Sequence, residues 1–107
     1  MSSSAGLSGS RIRHAVVFAL PHVDGSPEET SFLTALAALG SIEGVEEFEV
    51  VREVSAKNDY RWGVSMEFVD QSAYDAYNDD PRHVGFVRDR WVPEVTHFLE
   101  VDFAPRG

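Results

Sequence analysis

YNDDPRHVGF, residues 77–86, ends one helix and starts another, and so decides how the second half of the chain is laid out. The short polar side chains of Asn78, Asp79 and Asp80 compete for backbone hydrogen bonds and disfavour a helix interior. Pro81 pushes the residue before it out of the helical region. It can also open a new helix, with Asp80 as its cap. The break sets Tyr77 and His83 on opposite sides of a proline-interrupted segment, where a phenol and an imidazole can meet across one pocket.

Upstream, Asp70 is placed to cap a helix running to Tyr77, with Tyr74 and Tyr77 three residues apart. Before it, Arg61 to Phe68 alternates Trp62, Val64, Met66 and Phe68 against Gly63 and Ser65, a strand pattern. Glu47 to Val54 is a second strand, joined to the first through the polar Lys57-Asn58-Asp59. Ser26-Pro27-Glu28-Glu29 is a helix start, with Ser26 as cap and Glu29 closing a capping box. A stripe of Phe32, Leu33, Leu36 and Leu39 follows. Ile12 to Leu20 reads as a strand with His14, Val16 and Phe18 on one face and Ala15 and Val17 on the other. Downstream of His83 the helix extends to about Trp91, Pro93 ends it, and Thr96 to Phe103 is the last strand.

The order is strand, helix, strand, strand, helix, strand. The simplest way to bury these patterns is an α+β ferredoxin-like subunit, a four-stranded antiparallel sheet with helices on one face. Val17, Val51 and Phe98 are assigned to the other face. That leaves an apolar surface, and burying it against a second copy predicts a homodimer. One domain is expected at 11–104, with a disordered arm at 1–10 and a short tail at 105–107.

Acidic residues number 18 against nine Lys and Arg, a formal net charge of -9. That balance, with no cluster of basic residues, argues against a nucleic-acid partner. Absence of cysteine excludes disulfides, thiol catalysis and thiolate metal sites. The opening MSSSAGLSGS lacks the charged start and apolar run of a signal peptide. No apolar stretch has membrane-spanning length. The expectation is a cytoplasmic protein with no membrane partner.

An imidazole titrating near neutrality can take or return a proton, and a phenol can orient it or support a developing enolate. His83 and Tyr77 are therefore the candidate catalytic pair. The same two residues can instead be a polar pair closing the core. His14, Trp62, Met66, Phe86 and Trp91 are the candidate pocket residues, though large side chains also simply fill space between sheet and helices. His14, His83 and His97 match no compact metal-ligand spacing, so neither metal nor cofactor is expected.

RHAVVF at 13–18, the IEGV turn at 42–45, Glu67-Phe68, residues 77–86 and Val101-Asp102-Phe103 together resemble the stress-responsive alpha/beta-barrel (Dabb) family. The likeness runs from about Ile12 to Phe103. It implies subunits that pair sheet to sheet into a dimeric α/β-barrel. It is also similar to a plant polyketide cyclase of that family that works without a cofactor. The resemblance implies His83 as general base or acid, Tyr77 as its orienting partner and His14 as a pocket residue. Trp62 stands where that cyclase has a further pocket histidine, and Leu36 near its helical tyrosine. The expected function is a cofactor-free cyclase, isomerase or lyase acting on a small, partly apolar or aromatic carbonyl compound. The alternative is a non-catalytic, stress-responsive dimer that binds a metabolite or serves a structural role.

Overall fold

A computed structural model describes residues 6–107. Four strands, β1 (Ile12–Ala19), β2 (Glu46–Arg52), β3 (Trp62–Phe68) and β4 (His97–Phe103), form one antiparallel sheet in the order β2-β3-β1-β4. Helix α1 (Pro27–Ala37) joins β1 to β2. The β3–β4 connection carries α2 (Gln71–Asp79), α3 (Pro81–Phe86), a π-helical turn (Val87–Trp91) and a last turn, α4 (Val92–Glu94). This is the expected ferredoxin-like α+β arrangement.

The caps form as their chemistry requires. Ser26 Oγ accepts from the Glu29 amide at 3.2 Å, Asp70 from Ala73 at 2.9 Å and Asp80 from Arg82 at 2.8 Å. Glu29 departs from a strict capping box, because its carboxylate accepts from the Gly25 amide rather than from Ser26. Of the expected arm, residues 1–5 lie outside the described residues. Ser10 donates to the Val69 carbonyl at the end of β3.

The core lies between the sheet and the helices. Phe18, Phe32, Phe68 and Met66 are fully or almost fully buried there. Each such side chain contributes about 1.5–3 kcal/mol through burial, which holds the helical layer on the sheet.

Two expectations are corrected. The sheet does not close into a barrel: β1 and β3 each have two neighbours, whereas β2 and β4 are free edges that never meet. Closure requires enough tilted strands, commonly about eight, for the ends to come round to one another. Phe98 also lies on the helix-covered side, because antiparallel pairing sets it opposite Phe18. The uncovered face instead carries Val51 of β2 and Leu99, Val101 and Phe103 of β4, all exposed.

β2 is irregular. Its pairing jumps between Glu46 and Glu49, and Glu47 adopts a φ of 51°, the left-handed conformation that a bulge accommodates.

Candidate functional site

A cavity of about 310 Å³ opens between the sheet and the α2–α3 segment. Its strand wall includes His14 and Val16 of β1, Val64 and Met66 of β3, and Phe98 and Glu100 of β4. Its helical wall includes Leu36, Leu39, Tyr77, His83, Phe86 and Trp91. Of the residues expected to line a pocket, His14, Met66, Phe86 and Trp91 do so, and the catalytic candidates join them. Trp62 does not. It sits at the far end of β3, buried beneath the Arg52 guanidinium, which lies 4.4 Å from its ring centre.

The Asp80-Pro81 junction brings Tyr77 and His83 together. Asp80 is extended, with φ -63° and ψ 131°, so α3 sets off in a new direction. His83 then folds back over the end of α2, with its ring centre 4.4 Å from that of Tyr77. The two side chains are packed ring against ring and do not hydrogen-bond to each other. His83 Nδ1 lies instead 3.2 Å from the Asn78 carbonyl, one of the oxygens left free at the end of α2. A carbonyl only accepts, so Nδ1 carries the hydrogen and Nε2 keeps its lone pair. Burial holds the His83 pKa below its ordinary value, and the Asn78 bond opposes that shift. The Tyr77 hydroxyl has no hydrogen-bond partner among the described residues, and no fully buried side-chain polar atom there lacks one. Its hydroxyl therefore reaches accessible space. Burial, with a smaller effect of the Glu100 charge, raises its pKa, so the phenol stays protonated.

The opposite wall holds a second imidazole. His14 is 7% exposed, and its Nδ1 lies 2.7 Å from Asp102 Oδ1. The Tyr74 hydroxyl is 2.8 Å from the same nitrogen and donates to Asp102 at 3.0 and 3.1 Å. Burial first, then the Asp102 hydrogen bond, pushes the Tyr74 pKa up. An ionised carboxylate has no hydrogen to give, so His14 Nδ1 is the donor and Nε2 is again the nitrogen with a lone pair. Glu100, two residues before Asp102 on the same face of β4, completes a group whose potential ligand atoms lie within 4.8 Å of one another.

Tyr74, Glu100 and Asp102 are absent from the sequence-derived site. Their signal is topological: Asp102 is the cross-strand partner of His14 once β1 and β4 are neighbours. His97, by contrast, is well away from the group and pairs with Asp59 at 3.1 Å.

Fold and cavity define a ferredoxin-like subunit with an aromatic-lined pocket bearing ionisable groups. Residues 12–105 match the model of the Stress responsive A/B Barrel Domain, and the chain belongs to this Dabb family. It is similar to the solved structure of a Dabb family protein with a ferredoxin-like fold from Mesorhizobium loti. The two are 57% identical over 91% of this chain and 98% of that one, with a TM-score of 0.88. A dimeric ferredoxin-like protein of unknown function from Thermobifida fusca is 23% identical, covering 95% and 97% of the two chains at TM-score 0.74. A hydroxynitrile lyase from Passiflora edulis shares the fold at 10% identity, covering 91% and 94% at TM-score 0.79. A search of curated proteins returns no match. No helix among the described residues is long and apolar enough to cross a membrane.

Proposed function

We propose that this chain is a small enzyme that moves a proton on a partly apolar carbonyl compound, with His83 as the base and no cofactor in that step. The observation that carries this reading is the half-buried His83, whose free Nε2 and lowered pKa leave it neutral and basic at physiological pH. In the proposed step Nε2 takes the proton next to the carbonyl. The C–H electron pair moves into the enolate, and the Tyr77 hydroxyl hydrogen-bonds to its oxygen. Returning the proton at another carbon makes the reaction an isomerisation, and attack on a second carbonyl makes it a cyclisation. Expulsion of a leaving group makes it a lyase reaction. A lyase among the proteins of similar fold supports this range.

The cavity, about 310 Å³, is near the lower end of ligand-pocket sizes and suits a compact aromatic or short-chain carbonyl compound. We also propose that the protein works as a cytoplasmic homodimer. Leu99, Val101 and Phe103 offer apolar area for a second copy, and a similar structure from Thermobifida fusca is described as dimeric.

The test is solvent-deuterium exchange into a small aryl ketone, followed by NMR, with native mass spectrometry reporting mass and any co-purified compound. His83→Gln should slow exchange by about 100-fold or more. Equal rates for wild type and folded variant would end the catalytic assignment. A compound bound equally well by both would favour a metabolite-binding dimer.

A further inference from the structure

We propose that His14, Glu100 and Asp102 form a divalent-cation site on the strand wall of the cavity, suited to Zn²⁺. The three side chains come from neighbouring strands of one sheet. Glu100 and Asp102 alternate along the same face of β4, and His14 is directly opposite Asp102 on β1. Each offers one donor atom, all within 4.8 Å of one another.

His14 makes this more than a pair of surface acids. Its side chain is almost wholly buried and lines the cavity, and its Nδ1 lies 2.7 Å from an Asp102 oxygen. Nδ1 is the nitrogen aimed at the carboxylates, and a cation would take the place of its hydrogen. Tyr74 supports the group from behind by donating to both oxygens of Asp102. Such outer partners fix ligand orientation. One imidazole and two carboxylates suit Zn²⁺, and three protein ligands leave a coordination position for a small molecule. That position would face the cavity occupied by Tyr77 and His83, where a bound cation could polarise a carbonyl oxygen.

This departs from the sequence expectation of no metal. It does not rest on the proton-transfer reading, because its readout is binding rather than turnover.

The experiment is calorimetric titration of the full chain, free of any affinity tag, with Zn²⁺. One ion per chain is expected. Glu100→Gln alters an exposed side chain and should leave the fold intact while weakening binding. The loss should be at least the roughly 10–100-fold seen when outer partners of metal ligands are removed. A double variant, His22→Gln with His97→Gln, removes the imidazoles paired with Glu94 and Asp59 elsewhere and should keep full affinity. Absence of saturable binding would overturn the site. So would an affinity unchanged in Glu100→Gln, or one lost in the double variant.

Discussion

The two walls of the cavity each present an imidazole, but they hold it in different ways. His14 stands on a central strand, and its Nδ1 faces the Asp102 carboxylate. His83 stands on a short helix after a proline break, and its Nδ1 faces a backbone carbonyl. Both arrangements leave Nε2 as the free nitrogen, so the difference lies in charge and support. A carboxylate partner brings acidic neighbours suited to a cation. A neutral carbonyl with partial burial favours an uncharged ring, which is the form that can accept a proton. One cavity thus has an acidic wall fixed by the sheet and a basic wall set by the helix break.

The division can be broken at several points. His83→Gln carries the largest expected effect, the loss of about two orders of magnitude in exchange described above. Tyr77→Phe comes next. Its hydroxyl has no partner among the described residues, so urea unfolding should show a stability within about 0.5 kcal/mol of wild type. Turnover should fall about tenfold, equivalent to about 1.4 kcal/mol in the barrier. Loss of stability without loss of rate would reassign Tyr77 to packing alone.

On the strand wall, Tyr74→Phe removes the hydroxyl that donates to Asp102. About 1 kcal/mol of stability should be lost, since Asp102 is partly exposed and water can replace the donor. An unchanged urea midpoint would mean that the hydrogen bond contributes nothing net.

The smallest effect is the pH dependence contributed by His83. Its folded pKa is lowered, so the unfolded chain binds the proton more readily. The associated stability is fully present above the ordinary histidine value of about 6.5, and it declines as pH falls through the lowered folded value. Unfolding free energies measured across that window should fall less steeply in His83→Gln than in wild type. Parallel curves would place His83 in a solvent-like environment.

Much of the fold was legible because its punctuation is chemical. Ser26-Pro27, Asp70 and Asp80-Pro81 mark the helix starts, and the alternation from Trp62 to Phe68 marks a strand with one buried face. The meeting of Tyr77 with His83 followed from the same proline break, although the ring-to-ring contact without a hydrogen bond did not. β4 was harder. Phe98, Leu99, Val101 and Phe103 place apolar groups on both faces, so period two alone cannot orient the strand, and Phe98 was assigned to the wrong side. Asp102 and Glu100 carry no signal of their own in the sequence, because only pairing with β1 sets them beside His14. Trp62 shares the helix-covered face with Met66, yet its distance along β3 takes it out of the cavity. Closure into a barrel was implied by the family resemblance alone, and the strand order leaves two free edges.

The irregularity in β2 shifts the parity of the strand. A regular strand is an odd–even code, and Glu46 and Glu49, three residues apart, should fall on opposite sides of the sheet. Their partners Glu67 and Ser65 share one face, so both lie on the uncovered side. The extra residue resets the count and lets Arg11 bridge Glu46 and Glu67 on that side while Val50 still packs inward against the core. Forced into regular alternation at its present length, β2 would turn the charges of one half toward the core. Deleting Glu47 would instead leave Glu46 and Glu49 two residues apart, both still on the uncovered side.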